Sequence, residues 1–222
     1  APDPPILTGT NPVSPSSERR PIVSGTAEPL AVVTFHLNAT CTQPVDSDGA
    51  AAANGTFAIK LIGQLPKNQL STIFATATDA AGNVSACSST SLSYQHDATA
   101  PTSPLLTHTV PGSPSNSQLT PVVHGTTGVD VPSVRIYLGT KCNVEAATVT
   151  PNPDGSFAVP VTVPANTQSH FTAKALDQAG NASVCSTPAL PYLHDSIPPK
   201  FPNGYEGPTL ALADKSTVTV SW

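Results

Sequence analysis

The chain has 222 residues, a formal net charge of −5, 10% charged residues, 5% aromatics, 25 prolines and no methionine. Its nine Lys and Arg are scattered, which argues against nucleic acid and anionic membrane surfaces as partners, and no apolar run is long enough to span a bilayer. So few aromatics among so many prolines suit short strands, frequent turns and a thin core.

From the N-terminus, Asp3-Pro4-Pro5 forms an entry segment. Val33, Phe35 and Leu37 alternate with Thr34, His36 and Asn38, the period of a half-buried strand. Ala50 to Ala53 is bracketed too closely by Gly49 and Gly55 to be a helix. Asn54-Gly55 supplies a tight turn before a strand carrying Phe57, Ile59 and Leu61. A further strand carries Ile73, Ala75 and Ala77, and the turn Ala81-Gly82-Asn83 joins it to a last strand with Leu92 and Tyr94. His96-Asp97 and the joint Ala98-Thr99-Ala100-Pro101 follow, where proline favours a short, semi-rigid link.

The series then repeats. Asp79, Gly82, Asn83, Ser85, Cys87, Leu92, Tyr94, His96 and Asp97 recur 98 positions later as Asp177, Gly180, Asn181, Ser183, Cys185, Leu190, Tyr192, His194 and Asp195. Pro21, Gly25, Gly55 and Phe57 recur 100 positions later as Pro121, Gly125, Gly155 and Phe157. Strands with turn signals every 8 to 12 residues describe all-β sandwiches, about seven strands each, strung like beads. The expected division is 1–97, 98–195 and a remainder, 196–222, too short to fold alone. Because the chain starts at Ala1 and lacks Met, it reads as a piece of something longer.

Four cysteines fall two per repeat, Cys41 with Cys87 and Cys142 with Cys185, without the spacing of a zinc or redox motif. Paired within repeats they close loops of about 45 residues, worth roughly 4 kcal/mol in chain entropy. Disulfides imply an oxidising compartment; the alternative is two buried thiols per repeat. The pairing raises a geometric conflict. In a simple strand order Cys41 follows the third strand and Cys87 opens the last, near opposite ends of a sandwich, yet a disulfide needs Cα atoms within about 7 Å. Either the chain around Cys41 folds back or that strand order is wrong.

ATATDAAGNVS (ending at Ser85), the preceding NGTF and DGSF, and the closing DATAP and DSIPP resemble the bacterial Ig-like repeats of large secreted and surface proteins. Within that family they resemble a cysteine-containing subtype frequent in delta-proteobacteria such as myxobacteria. The tail, with Val218, Val220 and Trp222, resembles the opening of a fibronectin type III module. The resemblance implies tandem Ig-like sandwiches in an exported, surface-attached or secreted protein. It also brings in Ca²⁺, which some such arrays hold between modules. Asp97 and Asp195, helped by Asp79 or Asp177, are then the candidate ligands, since hard cations need six to eight oxygens. The low acid count favours a simpler reading in which each Asp caps a turn and His96 and His194 lie over the linkers. Asp46-Ser47-Asp48-Gly49 resembles the start of a calcium loop but lacks the later ligands and reads as a hairpin turn.

No G-x-S-x-G, H-E-x-x-H or phosphate-binding glycine loop is present, and neighbouring His-Asp pairs on a strand point to opposite faces, so no enzyme activity is expected. The family serves as spacer, stalk and adhesive module alike; serial sandwiches with stiff proline-containing joints make a stalk the first expectation, with neighbouring domains of a longer chain as partners. The alternatives are an adhesive module recognising a glycan or protein, for which Tyr137 is the exposed aromatic candidate, and an accessory module of an exported hydrolase.

Overall fold

The computed structural model describes residues 1–199 apart from Asp46 and Asp48, and the backbone of 209–214 and 217–221. All its regular elements are β-strands. The first seven are β1 (Ile6–Asn11), β2 (Ile22–Thr26), β3 (Val32–His36), β4 (Pro44–Val45), β5 (Thr56–Lys60), β6 (Leu70–Thr78) and β7 (Leu92–Gln95). The next seven are β8 (Leu105–Val110), β9 (Val122–Thr126), β10 (Ser133–Leu138), β11 (Val144–Val149), β12 (Ser156–Pro160), β13 (Gln168–Leu176) and β14 (Leu190–Leu193). Each set forms a sandwich of a three-stranded and a four-stranded antiparallel sheet: β1-β2-β5 with β4-β3-β6-β7, and β8-β9-β12 with β11-β10-β13-β14. The fourth strand lies beside the third; in constant-type Ig domains it joins the sheet of the first, second and fifth.

Alternation places the cores. Val23, Val33, Phe35, Phe57, Ile59, Ile73, Ala75 and Tyr94 meet between the first two sheets, and Val123, Val134, Ile136, Phe157, Val159, Phe171 and Tyr192 between the second two. Gly25 recurs as Gly125 because the ring of Phe57 or Phe157 crosses it. A Cβ at Gly25 would meet the Ile6 carbonyl and come within 2.6 Å of the Phe57 ring. Gly55 and Gly155 hold positive φ, 81° and 80°, in the turns before β5 and β12, a conformation open to glycine at no steric cost.

Two disulfides close the units: Cys41 with Cys87 at a Cα separation of 5.7 Å, and Cys142 with Cys185 at 5.9 Å. The geometric conflict resolves in a way that corrects the expected strand order. Cys87 does not open the last strand, which begins at Leu92. It sits on an irregular return, 84–88, that runs back along β6, with Ser85 N–H donating to the Ala77 carbonyl and Ser88 N–H to that of Ala75. The turn after β3 also folds back: Leu37 N–H donates to the Gln43 carbonyl, and Asn38 Oδ1 accepts from the N–H groups of Thr42 and Gln43.

That cysteine-bearing turn covers a face expected to be open. In the second unit Thr172 Oγ1 donates to the Gly139 carbonyl at 3.1 Å and Cys142 Sγ lies 3.7 Å from the Ala173 carbonyl oxygen. Tyr137, the expected exposed aromatic, is therefore only 8% exposed and offers no stacking platform, and its counterpart His36 is 7% exposed. His36 Nε2 lies 3.1 Å from Thr76 Oγ1, while its buried Nδ1 has no partner among the described residues.

Burial holds the His36 pKa below its ordinary value. The unfolded chain consequently binds more protons than the folded one below about pH 6.5, so stability is full above that pH and falls as pH drops toward the folded-state value. The melting temperature of the first unit is expected to decline between about pH 7 and pH 5, and His36→Tyr, which installs the residue of the sister unit, is expected to flatten that decline. Equal slopes in the two proteins, followed by circular dichroism, would remove His36 as the cause.

Beyond the second sandwich, β15 (Thr209–Asp214) pairs antiparallel with β16 (Thr217–Ser221), Leu210 opposite Val220 and Leu212 opposite Val218. Trp222, expected to be a core residue of a third module, lies outside the described residues, as do Asp46 and Asp48 of the suggested calcium loop.

Candidate functional site

Residues that recur in both units build the place where each sandwich hands the chain on. In the first unit the segment before Glu18 runs parallel to the end of β7. Ser16 N–H donates to the Gln95 carbonyl, Asp97 N–H donates to the Ser16 carbonyl, and Gln95 N–H donates to Ser14 Oγ. The second unit repeats it atom for atom: Ser115 N–H to Leu193 O, Asp195 N–H to Ser115 O, Leu193 N–H to Ser113 Oγ.

His96 and His194 sit beneath this tie and are 1% and 5% exposed. Asn68 N–H donates to His96 Nδ1 at 2.8 Å, and Asn166 N–H to His194 Nδ1 at 3.1 Å. With Nδ1 accepting, the His96 proton resides on Nε2, which donates to the Ser17 carbonyl at 3.2 Å. The two asparagines then reach over the exit. Asn68 Oδ1 accepts from Ala98 N–H and its amide donates to Thr99 Oγ1, whereas Asn166 Oδ1 accepts from both N–H and Oγ of Ser196. Asn68 and Asn166 were not singled out from the sequence. The available signal was a recurring Asn before a strand at positive φ, 52° and 51°, a conformation Asn tolerates better than most residues.

The four aspartates act within turns. Asp79 Oδ1 accepts from the N–H groups of Ala81 and Asn83, and its Oδ2 from the Asn83 amide. These bonds, the Asn83 side chain first, hold the Asp79 carboxyl below the usual carboxylate range. Asp177 makes the same bonds to Asn181 N–H and amide. Asp97 and Asp195 each accept from the N–H two residues on, Thr99 and Ile197. Among the described residues no three His, Cys, Asp or Glu side chains gather as a metal site. Asp97 and Asp177 are nonetheless linked, because the Asn181 amide donates to both the Asp177 carboxylate and the Asp97 carbonyl, the latter at 3.0 Å. That bond joins the exit of the first unit to a turn of the second.

The arrangement positions backbone. His96 and Asp97 do not face each other as an acid-base pair: the ring is buried on backbone groups, and the carboxylate is engaged by its own turn.

Residues 8–93 match the model of a family described as a bacterial Ig domain. Among solved structures, fibronectin(III)-like modules of Clostridium thermocellum CbhA align over 88% of this chain and 98% of theirs, at 10% identity and a TM-score of 0.51. A titin segment aligns over 88% of this chain and 68% of its own, at 11% identity and a TM-score of 0.48. The BSP domain of a biofilm associated protein aligns over 88% and 30%, at 19% identity and a TM-score of 0.31. No curated protein matches the chain in sequence. The chain is thus a tandem of Ig-like and fibronectin III-like β-sandwiches, each closed by a disulfide, with a bacterial Ig domain matched across the first.

Proposed function

We propose that these modules are non-enzymatic spacers, part of a stalk in a bacterial cell-surface or secreted protein, with the neighbouring domains of a longer chain as their partners. The observation that carries this reading is the duplicated exit. The same histidine, asparagine and serines tie down the outgoing chain of both units, and Asn181 clamps the first exit from the far side. A spacer needs a held joint, and here residues repeated in both units are spent on it. Two disulfides fit export to an oxidising compartment.

Spin labels or fluorophores placed one per sandwich are expected to report a narrow inter-module distance distribution. Asn68→Ala combined with Asn181→Ala is expected to broaden it at a stability cost of about 1 kcal/mol per hydrogen bond lost. An equally broad distribution in the parent would remove the held joint. Glycan-array and whole-cell assays are expected to show no saturable binding. Binding abolished by a loop substitution would replace the stalk reading with the adhesive one.

A further inference from the structure

The outer face of the sheet β8-β9-β12 carries a feature that the joint does not use. His108 on β8 and His124 on β9 are cross-strand partners, and their rings stack with centroids 4.5 Å apart and planes 12° from parallel. A register shift between Leu106 and His108 brings Thr107 beside the pair. The Thr107 hydroxyl donates its only hydrogen to the His124 carbonyl at 3.2 Å, so its oxygen, 3.0 Å from His108 Nδ1, accepts the proton of that nitrogen. In that arrangement His108 carries its proton on Nδ1 and the Nε2 lone pair is unused. The His124 ring has no hydrogen-bond partner among the described residues.

We propose that His108 and His124 form a two-imidazole site for a borderline divalent transition-metal ion of the Cu²⁺, Ni²⁺ or Zn²⁺ class, with water filling the remaining positions. Imidazole suits these ions. A metal-bound histidine ordinarily donates its second ring N–H to an oxygen, which sets the tautomer and raises ligand basicity, the part Thr107 plays for His108. The spacing also fits. Two nitrogens each about 2.0–2.1 Å from a tetrahedral ion stand roughly 3.4 Å apart, reached from stacked rings by a small swing of the exposed one. The first unit supplies an internal contrast, because the same register there pairs Gly9 with Ser24. Of the other histidines, His36, His96 and His194 are buried and His170 stands alone on β13.

The test is titration of the tag-free chain with Cu²⁺, Ni²⁺ and Zn²⁺ by calorimetry, with imidazole signals followed by NMR. One equivalent is expected to bind at neutral pH, perturbing His108 and His124 first, with Cu²⁺ tightest. Acidification is expected to release it, since only neutral imidazole binds metal. His124→Ser and His108→Ser are each expected to weaken binding at least about tenfold, Thr107→Val to weaken it measurably, and His170→Asn to leave it unchanged. Unchanged thermal transitions would establish that the variants fold; the sister unit carries Gly9 and Ser24 at this register, so its sheet forms without either imidazole and folding is the expected result. Absence of binding to the parent chain, or equal binding by both serine variants, overturns the proposal.

Discussion

Replacing Cys41 and Cys87 together by alanine is expected to destabilise the first sandwich by about 4 kcal/mol while the second sandwich keeps its own transition. The bond spans 46 residues, so its removal returns a large loop entropy to the unfolded chain. The native state also loses a fastening between two stretches that no ladder holds, the turn 38–43 and the return 84–88, which reach each other over β6. Cys142→Ala with Cys185→Ala, spanning 43 residues, is expected to give nearly the same loss in the second unit. Chemical denaturation followed by circular dichroism, with one bond removed at a time, should show one transition moving and the other fixed. A loss under about 1 kcal/mol would mean that the unfolded chain gains little freedom when the bond is cut.

Tyr94→Ala is expected to cost about 3–5 kcal/mol, the range for emptying a buried aromatic site. The ring is fully buried in a core with few other large side chains, among them Phe35 and Phe57, whose centroids lie 6.1 Å apart. Its hydroxyl also donates to the Glu18 carbonyl at 2.8 Å, fastening the segment between β1 and β2. Tyr94→Phe separates these parts and is expected to cost about 1 kcal/mol, the worth of one net hydrogen bond. Tyr192, bonded to the Gln118 carbonyl at 3.1 Å, should behave alike in the second unit. A Tyr94→Phe loss as large as that of Tyr94→Ala would place the stabilisation in the hydroxyl instead of the ring.

What was legible in the sequence follows from period and duplication. Alternation at Val33 and Phe35, or at Phe157 and Val159, reports a sheet face directly, because the side-chain period of a strand is two. Recurring Gly55 and Gly155 marked the turns, whereas the reason for the recurring Gly25, the Phe57 ring lying across it, belongs to packing that no local pattern carries. Pairing across space was less legible. Nothing local tells Pro44–Val45 to pair with β3, since a strand of two residues carries no period. The return 84–88 stayed hidden because side chains replace part of a ladder there: Ala77 N–H donates to Ser85 Oγ and Ala75 N–H to Ser88 Oγ, and serine has no strand signature. His36 and Tyr137 alternate as outward residues yet are buried, because the turn that follows their own strand folds back over that face, and alternation says nothing of such a fold-back.

The parallel tie between Ser16 and the end of β7 has a mechanical meaning. A pull on the two ends of a sandwich draws Ser16 toward the N-terminus and His96 toward the C-terminus, in opposite directions along one axis. The bonds from Ser16 to Gln95, Asp97 to Ser16 and Gln95 to Ser14 are then loaded side by side in shear, where an antiparallel end-to-end hairpin would open one bond at a time. Ser113, Ser115, Leu193 and Asp195 take load the same way in the second unit. Should a tie yield, the loop between Cys41 and Cys87, a sequence separation of 46, remains short-circuited, withholding roughly 150 Å of slack at about 3.3 Å per residue.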